Sequence, residues 1–184
     1  MVSGLGNYFE DLKEHRSLIK SSLENLIKDQ DLQKIKYFDE NSISMHIRRS
    51  DFQENSGELS RTNDDWFIKV INFLNSTIKK NIYIFSDATD LELSSILKCP
   101  NTKRVDYESS ILDMLAMSKS KLFVGSKNST FSHWVSFLGS MPTIWPNNCH
   151  INNKKRCLSI NEIETDGQIF SKDFINLCLK KFKS

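Results

Sequence analysis

Apolar and polar positions alternate along this chain with two different periods, and the change of period marks its elements. Leu12, Ile19, Leu23, Leu26 and Ile27 recur at helical spacing among charged neighbours, which predicts helix across the first third. A polar break at Asp39-Glu40-Asn41-Ser42 follows. Ile43, Met45 and Ile47 then alternate with Ser44 and His46, which is the period of a strand. Residues 50–62 read as a loop. Asn63-Asp64-Asp65 opens a helix carrying Trp66, Val70, Phe73, Leu74 and Ile78, with acids in its first turn and Lys79-Lys80 expected in its last. Residues 81–86 form a short run of β-formers, expected to be a buried strand.

Thr89-x-x-Glu92 has the capping-box pattern and predicts a helix that stops near Cys99-Pro100. A minor strand is expected over 103–107, a helix over 110–118 and a strand over 121–125. Asn128-Ser129 is placed to cap a helix ending at Gly139, and a further strand is expected over 142–145. Residues 147–157 read as a polar loop and 171–182 as a closing amphipathic helix. Strands that alternate with helices predict an α/β fold: a Rossmann-like parallel sheet with helices on both faces. The expected division is an N-terminal helical segment, 1–40, followed by a single Rossmann-like domain, 41–184.

Composition narrows the function. The 184 residues carry 25 Lys+Arg against 23 Asp+Glu, a net charge of +2, which excludes nucleic-acid binding driven by bulk charge. The four cysteines, at 99, 149, 157 and 178, form no CxxC pair, so free thiols in a reducing compartment are expected and no metal site. The start of the chain has no signal-peptide pattern and no run reaches the length of a membrane span. The expected location is the cytoplasm, with peripheral attachment to a membrane.

Ligands of open α/β sheets bind beyond the carboxyl ends of the strands. Three such ends carry unusual polar groups. The first is His46-Ile47-Arg48-Arg49-Ser50-Asp51. Strand parity puts His46 and Arg48 on one face and Arg49 on the other, where Asp51 is within its reach. Arg48 can then offer a guanidinium fork to a phosphate. The competing reading is a surface Arg–Asp cluster of little energetic worth, but two arginines directly after a buried strand favour function. The second end is Ser86-Asp87, whose carboxylate suits either a base or ribose donor or plain helix entrance. The third is 125–132, where unpaired N–H groups and hydroxyls at a helix start suit an anion, or serve only as a cap.

At these residues the chain resembles a family. His46-Ile47-Arg48-Arg49-Ser50-Asp51 matches the H-x-R-R-x-D signature of α1,2- and α1,6-fucosyltransferases. Asn128-Ser129-Thr130-Phe131-Ser132-His133-Trp134 is similar to the N-S-[ST]-F-S-W-W segment of the bacterial α1,2-fucosyltransferases, members of glycosyltransferase family 11. Ile84-Phe85-Ser86-Asp87 resembles their F-S-D-D segment, and Tyr8-Phe9 their upstream Y-F stretch.

The resemblance implies the donor-binding domain of a GT-B glycosyltransferase, with GDP-fucose as donor and no metal or other cofactor. It implies that Arg48 contacts the diphosphate with Arg49 and Asp51 in support. It also implies that His46 and Asp87 lie near the guanosine, and that Asn128, Ser129, Thr130, Phe131 and Ser132 close on the phosphates. The implied reaction is inverting transfer of L-fucose to a galactoside hydroxyl of an oligosaccharide or glycolipid, a step of membrane-associated glycan synthesis. Arg48 and the helix start would stabilise the leaving phosphate. The general base is not assigned; Asp51, Glu54 and Glu58 are nearby carboxylates.

Three features depart from the family pattern. Ala88 stands for the second Asp of F-S-D-D, and His133 for the first Trp of the W-W pair. Only 45 residues precede His46, where the family usually carries a further domain. A donor half alone is the expectation, completed by a missing N-terminal half or a homo-oligomer. The alternatives are a non-catalytic GDP-sugar-binding module and an unrelated α/β nucleotide hydrolase.

Overall fold

The structure, a computed structural model, describes residues 9–49, 61–149 and 159–183. Six strands form one parallel sheet: β1 (Ile43–Ile47), β2 (Ile82–Ser86), β3 (Thr102–Arg104), β4 (Leu122–Val124), β5 (Thr143–Pro146) and β6 (Glu162–Thr165). Their spatial order is β3-β2-β1-β4-β5-β6, with Ile43 in register with Ile82 on one side and Leu122 on the other. The chain winds outward from β1 in one direction and then, from β4, in the other. The switch point therefore lies between β1 and β4, which is where a doubly wound sheet opens a crevice at its carboxyl edge.

The helices are α1 (Arg16–Asn25), α2 (Asp29–Leu32), α3 (Asp64–Thr77), α4 (Ser94–Leu97), α5 (Ser110–Met117), α6 (Thr130–Gly139) and α7 (Lys172–Lys183). Helices α3, α4 and α7 cover the sheet face formed by Ile43, Met45, Ile47, Ile82, Ile84, Leu122, Val124 and Ile144. Helices α5 and α6 cover the opposite face, around Phe85, Phe123 and Trp145. Because both faces are covered, all five residues of β1 are buried, Ser44 and His46 included.

Several local expectations are corrected. The N-terminal helical stripe is two short helices and two 3-10 turns, 10–15 and 33–35. Lys28, extended at φ −65° and ψ 142°, breaks the run. Ile19 and Leu23 pack beside Phe9, Phe137 and Leu138, whereas Ile27 joins Ile35 and Phe38 on the sheet. Leu26 is left 81% exposed.

Asn63 caps α3 by accepting the Asp65 N–H at 2.8 Å. The helix closes at Thr77, however, so Lys79, left-handed at φ 58°, and Lys80 fall beyond it. The capping box does form, with the Thr89 N–H donating to Glu92 Oε2 at 2.8 Å, but it closes a turn ahead of the four-residue α4. The minor strand lies at Thr102–Arg104, earlier than expected. β6 was not expected at all. It is a charged edge strand whose Glu162 accepts the Trp145 indole N–H at 3.1 Å.

The left-handed cap of α6 is Ser140, at φ 51°, not Gly139. Gly139 is small for another reason: a Cβ there would strike the Met141 side chain and the Ser118 carbonyl. Gly125, just after β4, is packed under the Trp145 ring, where a Cβ would overlap the indole. Gly125→Ala is therefore expected to destabilise the protein by about 3 kcal/mol, the upper range for overpacking. An unchanged midpoint in urea denaturation would contradict this packing.

Candidate donor-binding site

The carboxyl ends of β1, β2 and β4 meet through side chains. Ser126, directly past β4, donates its hydroxyl to the His46 carbonyl at 2.8 Å and accepts the Arg48 N–H at 2.9 Å. This side chain continues the pairing of β1 and β4 beyond the backbone ladder and fixes Arg48 at the switch point. Asp87, past β2, is held by both arginines. Its Oδ1 accepts the Arg49 backbone N–H at 2.8 Å, and its Oδ2 lies 2.8 Å from Arg48 Nη1.

The two arginine side chains diverge as strand parity requires. Arg48 is 32% exposed and opens to solvent space beside His46. Arg49 is only 4% exposed and crosses to the α3 side of the sheet. There it donates to the Thr62 carbonyl at 2.7 Å, pairs with Asp64 and lies over the Phe67 ring at 5.8 Å. Burial lowers its pKa, with Asp64 opposing that shift. Arg49 thus braces the start of α3. Its expected partner Asp51 lies outside the described residues, as do Ser50, Glu54 and Glu58.

A cavity of about 260 Å³ opens beside Arg48. His46, Phe85, Met117 and Phe131 form its apolar wall, and Asp87, Asp106, Glu108 and Asp113 its acidic one. The volume is just below the ~300–1,000 Å³ of pockets for drug-sized ligands, so it suits part of a nucleotide sugar, such as its base. Asp113 stands in the first turn of α5 and accepts the Tyr107 N–H at 3.0 Å. Burial pushes its pKa up to about 6; the Tyr107 N–H opposes the shift and Asp106 adds to it.

His46 is 5% exposed. Its Nδ1 lies 2.7 Å from Ser132 Oγ, and its ring contacts Phe131 at 4.8 Å between centroids. Burial lowers its pKa to about 4, the nearby Asp87 opposing and Arg48 assisting that shift.

The 128–132 segment divides into different roles. Asn128 is left-handed at φ 56°. Ser129 is buried and its hydroxyl caps α6 by accepting the Ser132 N–H at 3.2 Å. Thr130 is exposed at the first turn. Phe131 lines the cavity, and the fully buried Ser132 supports His46 from behind. The structure therefore gathers His46, Arg48, Asp87 and Phe131 around one cavity; Ser132 is bonded to His46 and Ser129 caps the helix that carries Phe131, neither lining the cavity itself.

The family departures fall away from this cavity. Ala88 is buried in the apolar cluster under α3, on the other face of the sheet. His133 is buried too, stacked on Trp145 at 4.4 Å with Nε2 3.8 Å from Cys149 Sγ. Asp106, Glu108 and Asp113 were not singled out from the sequence, and Ser126 only as part of the 125–132 segment. Asp113 alone carried a signal, a carboxylate between Leu112 and Met114 in an otherwise apolar helix.

The family model described as Glycosyl transferase family 11 matches residues 7–166. The chain belongs to this family. A comparison with curated proteins finds no match. Among solved structures, similar chains include POFUT1 in complex with GDP, at 18% identity and a TM-score of 0.49, covering 64% of this chain and 46% of that one. POFUT1 in complex with GDP-fucose matches at 16% identity and a TM-score of 0.47, over 64% of this chain and 47% of that one. The chain thus spans about half the length of these structures. Among the described residues of this family 11 chain, no helix is long and apolar enough to cross a membrane.

Proposed function

We propose that this chain is the donor-binding part of an inverting fucosyltransferase that uses GDP-fucose without a metal ion and transfers L-fucose to a galactoside hydroxyl. Family membership supports glycosyl transfer. The single observation that carries the donor assignment is the Arg48–Asp87 pair at the switch point, opening beside a base-sized cavity with an acidic wall.

A guanine presents two adjacent donors, N1–H and the 2-amino group, and a carboxylate is their natural acceptor. Asp87 has both oxygens engaged by the arginines, so in this reading it holds Arg48. Asp113 takes the base, with His46 and Phe131 along its flank. Arg48 meets the diphosphate, and the first-turn N–H groups of α6 add donors that lack intrahelical partners. As the acceptor oxygen attacks C1 of fucose, the C1–O bond to the β-phosphate breaks and GDP departs. Charge grows on that phosphate, and in this reading Arg48, held by Asp87, is the donor that meets it.

Calorimetry with GDP and GDP-fucose tests the donor site. Transfer assays on galactose-terminated oligosaccharides and glycolipids test the acceptor. GDP-fucose binding without transfer would leave a binding module, and release of free fucose without acceptor would indicate hydrolysis. Absence of GDP binding would refute the reading.

A further inference from the structure

Ser132 has a position that ligand contact does not explain. It is fully buried, yet its hydroxyl makes two bonds: it accepts the Ser126 N–H at 3.1 Å and meets His46 Nδ1 at 2.7 Å. A hydroxyl has one proton to donate and needs an acceptor for it. If Nδ1 carried hydrogen, Ser132 would accept twice and its own proton would be stranded in a dry site. With Nδ1 bare, the Ser132 hydroxyl donates to it while still accepting the Ser126 N–H, and neither bond is lost.

We propose that Ser132 is a positioning residue that fixes His46 as the Nε2–H tautomer, so that the ring faces the donor cavity as a hydrogen-bond donor only. Among the described residues, Nε2 has no partner of its own, and the ring lines the same cavity as the carboxylates. A ligand must therefore place an acceptor atom at His46 and donors at Asp113. Guanine offers both, through O6 or N7 and through N1–H with its 2-amino group. The ligand half of this inference rests on the GDP reading above; the tautomer half does not. The imidazole stays neutral at pH 7, because burial holds its pKa at about 4. Ser126 joins the same network, so the tautomer is tied to the loop that fixes Arg48.

The test is long-range proton–nitrogen NMR of histidine-labelled protein at neutral pH, with His46→Gln to assign the signal among the four histidines. Wild type should show a single Nε2–H tautomer with a hydrogen-bonded Nδ1. Ser132→Ala should show a mixture of tautomers and bind GDP about tenfold more weakly, the worth of one hydrogen bond. Ser132→Thr, which keeps the hydroxyl, should restore both. An Nδ1–H or charged His46 in wild type would overturn the proposal. So would Ser132→Ala with an unchanged single tautomer and unchanged affinity. If Ser132→Ala does not fold, the wild-type spectrum and Ser132→Thr still decide. If wild type binds no GDP, the donor reading fails while the spectrum still judges the tautomer.

Discussion

Arg48→Ala should lower affinity for GDP about 100-fold and any transfer rate by about 100- to 1,000-fold, the loss expected when one preorganised donor to a developing charge is removed. The effect exceeds one hydrogen bond for a structural reason. Arg48 neutralises Asp87 at 2.8 Å, so its removal leaves a carboxylate facing the diphosphate. Arg48→Lys should also bind poorly, because a point charge cannot replace a guanidinium that spans Asp87 and a phosphate together. Arg49→Ala is the matching control. Its backbone N–H still holds Asp87, but the buried pair with Asp64 is gone. That variant should lose about 3 kcal/mol of stability and, where folded, retain GDP binding. Calorimetry and urea denaturation on both variants separate the effects. Equal GDP affinity in the two would remove Arg48 from the phosphate site.

This contrast between neighbouring arginines was legible in the sequence, because strand parity persists for two residues beyond Ile47. Their partners were not. Asp64 stands 15 residues after Arg49, and nothing in residue spacing says that the two side chains meet. The strands of the interior were legible for a similar reason: a parallel sheet covered on both faces needs apolar runs such as 82–85 and 122–124. β6 escaped notice because an edge strand tolerates Glu162 and Glu164. The N-terminal stripe misled because helical spacing persists across a break that only Lys28's extended backbone reveals. The acidic wall was the largest omission. Asp106 and Glu108 come from the β3–α5 connection and Asp113 from the first turn of α5, and the placement of β2 beside β1 brings them to the same cavity as His46. The fold had to be assembled before those carboxylates could be read as a site.

That wall makes the second large prediction, a pH dependence of donor binding. GDP-fucose affinity should be nearly constant above about pH 7 and fall below about pH 6, approaching tenfold per pH unit. The cause is Asp113, whose pKa burial pushes up to about 6. Guanine needs its ionised form, so protonation competes with the ligand. GDP-fucose is the right probe, because its diphosphate is esterified at both ends and does not itself titrate in this range. His46, held at about 4, stays neutral through most of it. Asp113→Asn should bind about 10- to 100-fold more weakly at neutral pH, having lost charge-assisted bonds, and its profile should be flat. Stability should move the opposite way. The folded pKa lies above the ~3.9 of an unfolded aspartate, so the folded state holds the proton more tightly. The stability from this group is therefore full below about pH 4 and is lost as pH rises through about 6. Asp113→Asn should accordingly stabilise the unliganded protein at neutral pH. A structural aspartate would reproduce the stability trend alone, whereas a base-binding one must show both slopes. Wild-type affinity that stays flat down to about pH 5 would take the guanine away from Asp113.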